Sequence, residues 1–372
     1  MRGNHTTLFD GWKSYVRRHG DRRMYGVKLD IKDAYGNVDV RFLIVLISAL
    51  RSEFLSDFEA EFVIERVKNQ FVTFRKRVYQ WRHGLLQGDR LSACLCELYM
   101  SYLDKTLPEV KPNCFMDRTV DDYIFCSTEA HEVVNFMREV RVTHQINETK
   151  TRTNVACGSD EEIPYCGKLF NLATKEVKKL YVFGRQYNIR HKFKLWNFKR
   201  TISETDVKLF LKKAMKFAYN NNCFTKMELN TVFNSQRTVL ENFFEGMIYA
   251  AYKFDAAVMA VRNVLGENTD FILDVLHETV QQYSISVRRK VECYKGDYYR
   301  EVITQQHLKI LAYKAFVLVF KRRNEIYKNI IKEIKSVCDL KLHFSSSFID
   351  YKYFTRLPAA FKDVKVNRSI SM

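Results

Sequence analysis

Proline and glycine are scarce, at 4 and 13 in 372 residues. That excludes collagen-like and low-complexity chains and disfavours a turn-rich all-β fold; long regular elements are expected instead. The nine cysteines include no CxxC pair and no Cys/His zinc spacing, Cys94 and Cys96 being two apart. A reducing compartment with buried thiols is the expectation. The chain has no run of about 18 apolar residues that could span a bilayer. Met1 to Trp12 has no apolar signal core. A soluble, intracellular protein is expected, with no membrane partner.

Positive charge is abundant. The net charge is +18 and the pI about 9.4, with 47% hydrophobic residues, a balance that suits a globular protein meeting a polyanion. Residues 1–184 hold 28 Lys/Arg against 25 Asp/Glu, or +3, and residues 185–372 hold 33 against 18, or +15. The first half keeps its acids, as a metal site needs, and the second is the part suited to gripping phosphates. A Lys-rich, merely soluble helical domain is the plainer reading of the same charge.

Apolar periodicity divides the chain at about Arg185. Before it, strands are expected at Tyr25–Ile31, Phe71–Trp81, Ile163–Phe170 and Val177–Phe183, with helices over Val38–Leu50, Ser56–Asn69, Leu91–Leu103 and Ala130–Val142. Phe71–Trp81 alternates apolar with basic residues, so one face is cationic. Arg118–Cys126 reads as two strand arms with Asp121-Asp122 at the turn. After Arg185 the spacing is helical, for example Val239, Phe243, Met247 and Ala251 on one face. A mixed part followed by a helical part predicts two packed domains of an α+β protein.

Three acids carry the chemistry. Asp30 ends an apolar strand, and Asp121 and Asp122 sit inside another apolar stretch. Buried carboxylates are costly unless paired or bound to cations. Three of them converging suit Mg²⁺, and two such ions can activate a hydroxyl and stabilise a leaving pyrophosphate. An Asp-Asp pair alone is more often a turn or a solvated cap.

The surrounding residues carry a resemblance. Lys28–Asp39 (KLDIKDAYGNVD), Gly84–Ser92 (GLLQGDRLS) and Arg118–Phe125 (RTVDDYIF) resemble reverse-transcriptase motifs A, B and C, and Ile146–Asn154 (INETKTRTN) and Pro164–Asn171 (PYCGKLFN) resemble motifs D and E. Val120 before the Asp pair, and Tyr-Cys-Gly in the last motif, are similar to the telomerase reverse transcriptase family; retroelement polymerases, a third reading, often have Ala there. Leu8–Val16 resembles the telomerase segment upstream of motif A, and NFFEGMIYAAYKFDAAV and FTRLPAAFKDV resemble its C-terminal extension.

The resemblance implies a reverse-transcriptase palm, a small antiparallel sheet with packed helices, followed by an all-α thumb. Residues 1–25 would be a remnant upstream of motif A, 26–184 the palm with a short, insect-like fingers insertion at about 40–80, and 185–372 the thumb. It implies RNA-directed DNA synthesis at chromosome 3′ ends with two Mg²⁺ ions. Asp30 and Asp121 would be the principal ligands; Asp122 would assist, or support the other two from behind. Lys150 would donate a proton to pyrophosphate, though unaided it reads as a surface-loop lysine. Tyr35 would exclude a ribose 2′-hydroxyl, though unaided it reads as a core tyrosine. Gln87 and Gly88 would line the template and incoming nucleotide, and Cys166 and Gly167 would form the primer grip through backbone shape. Arg190, Lys192, Lys194, Lys199 and Arg200, interleaved with Trp196 and Phe198, would contact nucleic acid, or else form a solvated strand or loop. Lys321-Arg322-Arg323 reads as an import signal or a helix face.

Partners implied are telomeric single-stranded DNA, the telomerase RNA template, an RNA–DNA duplex and dNTPs, in the nucleus at telomeres. The chain departs from the family at Leu86, where Pro is usual, at Asp89, where Ser is common and an acid would burden the nucleotide site, and at Gly36, where Asp is frequent. With 29 residues before Asp30, the fingers motifs 1 and 2 and the RNA-binding domain are not represented. An N-terminally truncated form is expected, supplied with the rest in trans or by a full-length subunit. The alternative function is a non-catalytic isoform that binds nucleic acid or proteins.

Overall fold

The computed structural model describes residues 7–155, 161–184, 187–192, 203–220, 227–266, 268–293, 303–342 and 351–366. Two units emerge: Met1–Cys166 with Phe170–Thr174, and Gly167–Leu169 with Lys175–Met372. The protein is α+β.

In the first unit, α1 (Leu8–His19) is N-capped by Thr7 and ends in Arg17, Arg18 and His19, which complement the helix dipole. β1 (Tyr25–Asp30) follows. α2 (Val40–Ala49) is capped by Asp39, and α3 (Asp57–Lys68) by a Ser56/Glu59 capping box. β2 (Gln70–Phe74) and β3 (Arg77–Trp81) form a separate two-stranded sheet. Then come α4 (Ser92–Leu103), β4 (Cys114–Thr119), β5 (Asp122–Ser127), α5 (Ala130–Thr143) and β6 (Arg152–Thr153).

The main sheet has the order β4-β5-β1-β6, with every pairing antiparallel. Side chains alternate across a strand. Val27 and Leu29 therefore join a core with Leu43 and Ile47 of α2, Met100 of α4 and Val140 of α5. Phe125 stacks on Phe136 of α5, with ring centroids 4.3 Å apart. Each such buried side chain stabilises by roughly 1.5–3 kcal/mol. Lys28 and Asp30, on the other phase of β1, point together away from that core.

Three short strands, β7 (Glu162–Tyr165), β8 (Lys168–Asn171) and β9 (Val177–Lys179), form a sheet in that order. The second unit is built on α6 (Glu204–Asn220), α7 (Gln236–Leu265), α8 (Thr269–Cys293), α9 (Gln305–Phe320) and α10 (Asn324–Leu342). α7 is its axis, buried over most of its length, and it packs on α6 and α9. Polar ties inside this unit are paired: Lys168 meets Glu228 at 2.8 Å, and Asp255 accepts from Arg323 at 3.1 Å and Tyr327 at 2.8 Å.

Several local expectations change. Phe71–Trp81 is a hairpin, not one strand; Arg75 and Lys76 turn it with φ of 48° and 64°. Ile163–Phe170 breaks at Cys166-Gly167, with φ of 47° and 69°. The β4–β5 turn falls on Val120-Asp121, so Asp122 already belongs to β5. Lys321-Arg322-Arg323 is a 3₁₀ turn whose arginines are bonded to the fold: the exposed Arg322 bonds the Tyr252 hydroxyl and the Lys362 carbonyl, and the half-buried Arg323 bonds Asp255 and the Val366 carbonyl.

Candidate active site

β1 and β5 bring the acids together through register. Asp30 and Asp122 are direct cross-strand partners, and the Asp121 carbonyl accepts from the Ile31 amide at 2.9 Å. Val120, with φ 55°, makes the tight turn that leads into the pair. The three carboxylates therefore lie on neighbouring backbone positions at one end of the sheet.

Two lysines meet the acids. Lys28 Nζ lies 3.4 Å from Asp30 Oδ2 and 2.5 Å from Asp122 Oδ1, and Lys150 Nζ lies 3.2 Å from Asp30 Oδ2. Lys28 and Asp30 are both buried. Burial pushes the Asp122 carboxyl upward, Lys28 opposes this, and Asp121 and Asp30 add to the rise. Asp122 Oδ1 is fully buried and receives no well-aligned hydrogen bond despite the nearby ammonium. Among the described residues, the group of three metal-capable side chains with ligand atoms within 4.8 Å of one another is Glu129, His131 and Glu132. That group is mostly exposed, and Glu132 is already bonded to Lys111 at 2.5 Å. The aspartates are spaced more widely than this.

Lys150 reaches Asp30 because the Asn147 amide bonds the Asp30 carbonyl at 2.8 Å and a 3₁₀ turn over Glu148–Lys150 follows. The segment is thereby anchored to the end of β1.

Arg118 holds the turn from below. Its guanidinium makes a bidentate pair with Glu97, both bonds 2.9 Å, and donates to Asp104 at 2.7 Å, Ser101 at 3.1 Å and the Val120 carbonyl at 3.1 Å. A planar fork is suited to such simultaneous contacts, and an ammonium is not. Tyr123 reinforces this by donating to Asp104 at 2.5 Å.

Tyr35 and the Gly84–Ser92 loop are joined through backbone. The Leu85 amide bonds the Tyr35 carbonyl at 2.8 Å. Gly84 has φ 61°, and a Cβ there would come within 2.3 Å of that carbonyl, so no side chain fits. The Tyr35 phenol is half-buried; burial pushes its pKa up, and Asp121 is among the smaller contributors. Gln87 and Gly88 are exposed on the loop, Gly88 with φ 100°. Gln70 braces the loop, donating to the Gly84 carbonyl at 3.0 Å and accepting from the Leu86 amide at 2.7 Å.

Asp89 is not a bare acid beside this loop. It accepts from the Leu91 amide at 3.0 Å and Arg66 at 2.6 Å, and these hold its carboxyl below the usual range. Cys166 sits at the turn before Gly167, and its thiol contacts Thr119 Oγ1 at 3.2 Å; burial pushes the thiol pKa up. Tyr165 beside it donates to Asp117 at 2.6 Å, and its hydroxyl oxygen accepts from Thr119 Oγ1 at 3.2 Å.

Of the basic cluster after Arg185, Arg190 lies in a 3₁₀ turn over Ile189–Lys192, half-buried, its amide bonded to Asn188. Lys192 ends that turn. Lys194, Lys199 and Arg200, with Trp196 and Phe198, lie outside the described residues. Sequence reasoning missed Lys28, Arg118 and Gln70. Lys28 carries a usable signal, since it stands two positions before Asp30 on a strand and so shares its face. Arg118 and Gln70 act through partners 14–21 positions away, which no local pattern reveals.

A family model described as the telomerase reverse transcriptase thumb DNA binding domain matches residues 183–372, and one described as reverse transcriptase (RNA-dependent DNA polymerase) matches residues 2–167. Similar proteins include the telomerase reverse transcriptase of Oryza sativa subsp. japonica, 23% identical over 72% of this chain and 23% of that protein. The Arabidopsis thaliana protein of the same name is 23% identical over 73% of this chain and 27% of its own length. The chain thus spans about a quarter of the length of these relatives. A solved telomerase from Candida albicans, in complex with a TWJ fragment of telomeric RNA, shares the fold: TM-score 0.58 and 16% identity, over 88% of this chain and 53% of that one.

Proposed function

The chain belongs to the telomerase reverse transcriptase family, and from that premise we propose that it performs RNA-directed DNA synthesis at chromosome 3′ ends. The observation that carries the reading is the register of Asp30 against Asp122 with Asp121 at the adjoining turn.

The donor set fits divalent metal. It offers carboxylate oxygens alone, which hard cations prefer; two of them, Asp30 Oδ2 and Asp122 Oδ1, face Lys28. Asp30, Asp121 and Asp122 would hold two Mg²⁺ ions. Bound there, the metal supplies Lewis acidity and charge neutralisation for nucleotidyl transfer.

The chain's own groups do the rest. Tyr35 excludes a 2′-hydroxyl and so selects dNTPs. Gln87 and Gly88 line the template and the incoming base, where absence of a side chain at Gly88 permits close approach. Lys150 carries the proton for the leaving pyrophosphate. Cys166 and Gly167 shape the backbone that grips the primer. Arg190, Lys192, Lys194, Lys199 and Arg200 bind phosphates of the RNA–DNA duplex. The partners are telomeric single-stranded DNA and the telomerase RNA, as part of a ribonucleoprotein in the nucleus.

The test is primer extension on an RNA–DNA duplex with Mg²⁺. Asp121→Asn should lower extension about a thousandfold while leaving duplex binding intact. With the upstream domains of a full-length relative added in trans, duplex binding without extension in the unaltered chain would overturn the catalytic reading and favour a nucleic-acid-binding module.

A further inference from the structure

The β2–β3 hairpin has no part in the acid site, yet it is the most exposed element of the first unit. It pairs with no other strand among the described residues. Register puts Phe74, Tyr79 and Trp81 on one face together with Arg77. These rings are 60%, 46% and 38% exposed, far more than core aromatics tolerate. Around them the charge is of one sign. Of the six Lys/Arg from Arg66 to Gly88, Arg66 and Lys68 pair with the flanking Asp89 and Glu65, which leaves Arg75, Lys76, Arg77 and Arg82 on the hairpin and just after it, with no Asp/Glu between them. Arg75 and Lys76 form the tip, and the Arg75 guanidinium lies 5.2 Å from the centre of the Phe74 ring. The base of the hairpin is fixed by Gln70 to the loop that carries Gln87 and Gly88.

We propose that this hairpin is a platform for single-stranded nucleic acid, with Phe74, Tyr79 and Trp81 stacking on bases and Arg75, Lys76 and Arg77 meeting phosphates. Exposed rings interleaved with cations are what a single strand requires: every base offers a π-face, and its backbone offers regular negative charge. A duplex hides its base faces and would use the cations alone. An apolar protein partner would leave Arg75, Lys76, Arg77 and Arg82 uncompensated at its border. Rings on a strand face, braced to the template loop, suit a strand passing into or out of that loop. The inference rests on the reading that the chain handles nucleic acid, but not on catalysis.

The experiment uses the full chain and a short labelled single strand, without dNTP or divalent ion, so that failed primer extension has no bearing on it. Tyr79→Ala and Trp81→Ala should each weaken single-strand binding about tenfold and leave duplex binding unchanged. Trp81→Phe should remove most of the tryptophan quenching caused by the strand. The double variant Arg75→Asn, Lys76→Gly keeps the turn, since these residues favour its backbone. It should reduce the dependence of log affinity on log salt by about 1.4, two phosphates at about 0.7 each. Unchanged melting temperatures confirm folding. Unaltered single-strand affinity in all four variants would overturn the proposal, as would equal losses on duplex. Loss of self-association in sedimentation, with strand affinity retained, would overturn it too and assign the face to contact between copies of this chain.

Discussion

Lys28 places a buried ammonium against two carboxylates, Asp122 and Asp30, the second of which also meets the exposed Lys150. Removing one member of a buried pair leaves the other charged and desolvated. Lys28→Met should therefore destabilise the first unit by about 3 kcal/mol. A divalent cation can neutralise the same oxygens, so Mg²⁺ should raise the melting midpoint of the variant more than that of the wild type. Equal shifts would mean that lysine and metal do not share those oxygens. Glu245 on α7 gives a pH dependence. Burial pushes its carboxyl up to about 7, Lys178 opposes this and Glu241 adds to it. As pH rises from 4.5 towards 7, the unfolded chain loses this proton before the folded one, so stability falls across that window. Glu245→Gln removes the penalty, about 3 kcal/mol at pH 8 and nothing near pH 4. A gain independent of pH would refute the assignment. Glu245 does not stand out in the sequence, and Lys28 does so only through its spacing from Asp30. Asp30, Asp121 and Asp122 do, because acids inside apolar strands contradict their surroundings.

Among elements, the long ones were legible and the tight turns were not. Apolar spacing and the Ser56/Glu59 pair locate α3 within a residue or two, and the helices after Arg185 follow the same logic. The turns at Arg75-Lys76 and Cys166-Gly167 lack the Asn-Gly signature, so a strand pattern runs through them, and the turn expected at Asp121-Asp122 falls one residue earlier, at Val120-Asp121. Each places non-glycine residues at positive φ, a conformation that costs roughly 1–2 kcal/mol per residue and needs outside support. For the turn beside the acids, that support is Arg118. Arg118→Lys keeps the charge but cannot span Glu97, Asp104 and the Val120 carbonyl together. It should slow primer extension at least about tenfold while duplex affinity holds, with a loss of about 2 kcal/mol in stability. Extension at the wild-type rate would show that the turn holds its shape without the clamp.

At the scale of the molecule, the order of the motifs and the charge asymmetry between residues 1–184 and 185–372 are linear properties, and both are visible without coordinates. The pairings are not: Arg66 with Asp89, Lys150 with Asp30 and Lys168 with Glu228 join residues 23, 120 and 60 positions apart. Arg322 and Arg323 likewise look like unpartnered surface charge until Tyr252 and Asp255 are seen beside them. The sheet order β4-β5-β1-β6 has a consequence for motion. β1 is bonded along both sides, whereas β2 and β3 bond to each other alone. Amides open to solvent as readily as their ladders break. In deuterated buffer, the β1 amides at Tyr25–Asp30 should be among the last in the first unit to exchange, and the outward amides of Gln70–Trp81 among the first. Mass spectrometry of peptides from the two segments reads the difference directly, and similar exchange times would contradict it. The acids then ride on backbone that rarely opens, while the strand-binding rings ride on backbone that opens often and can reshape itself around each successive base.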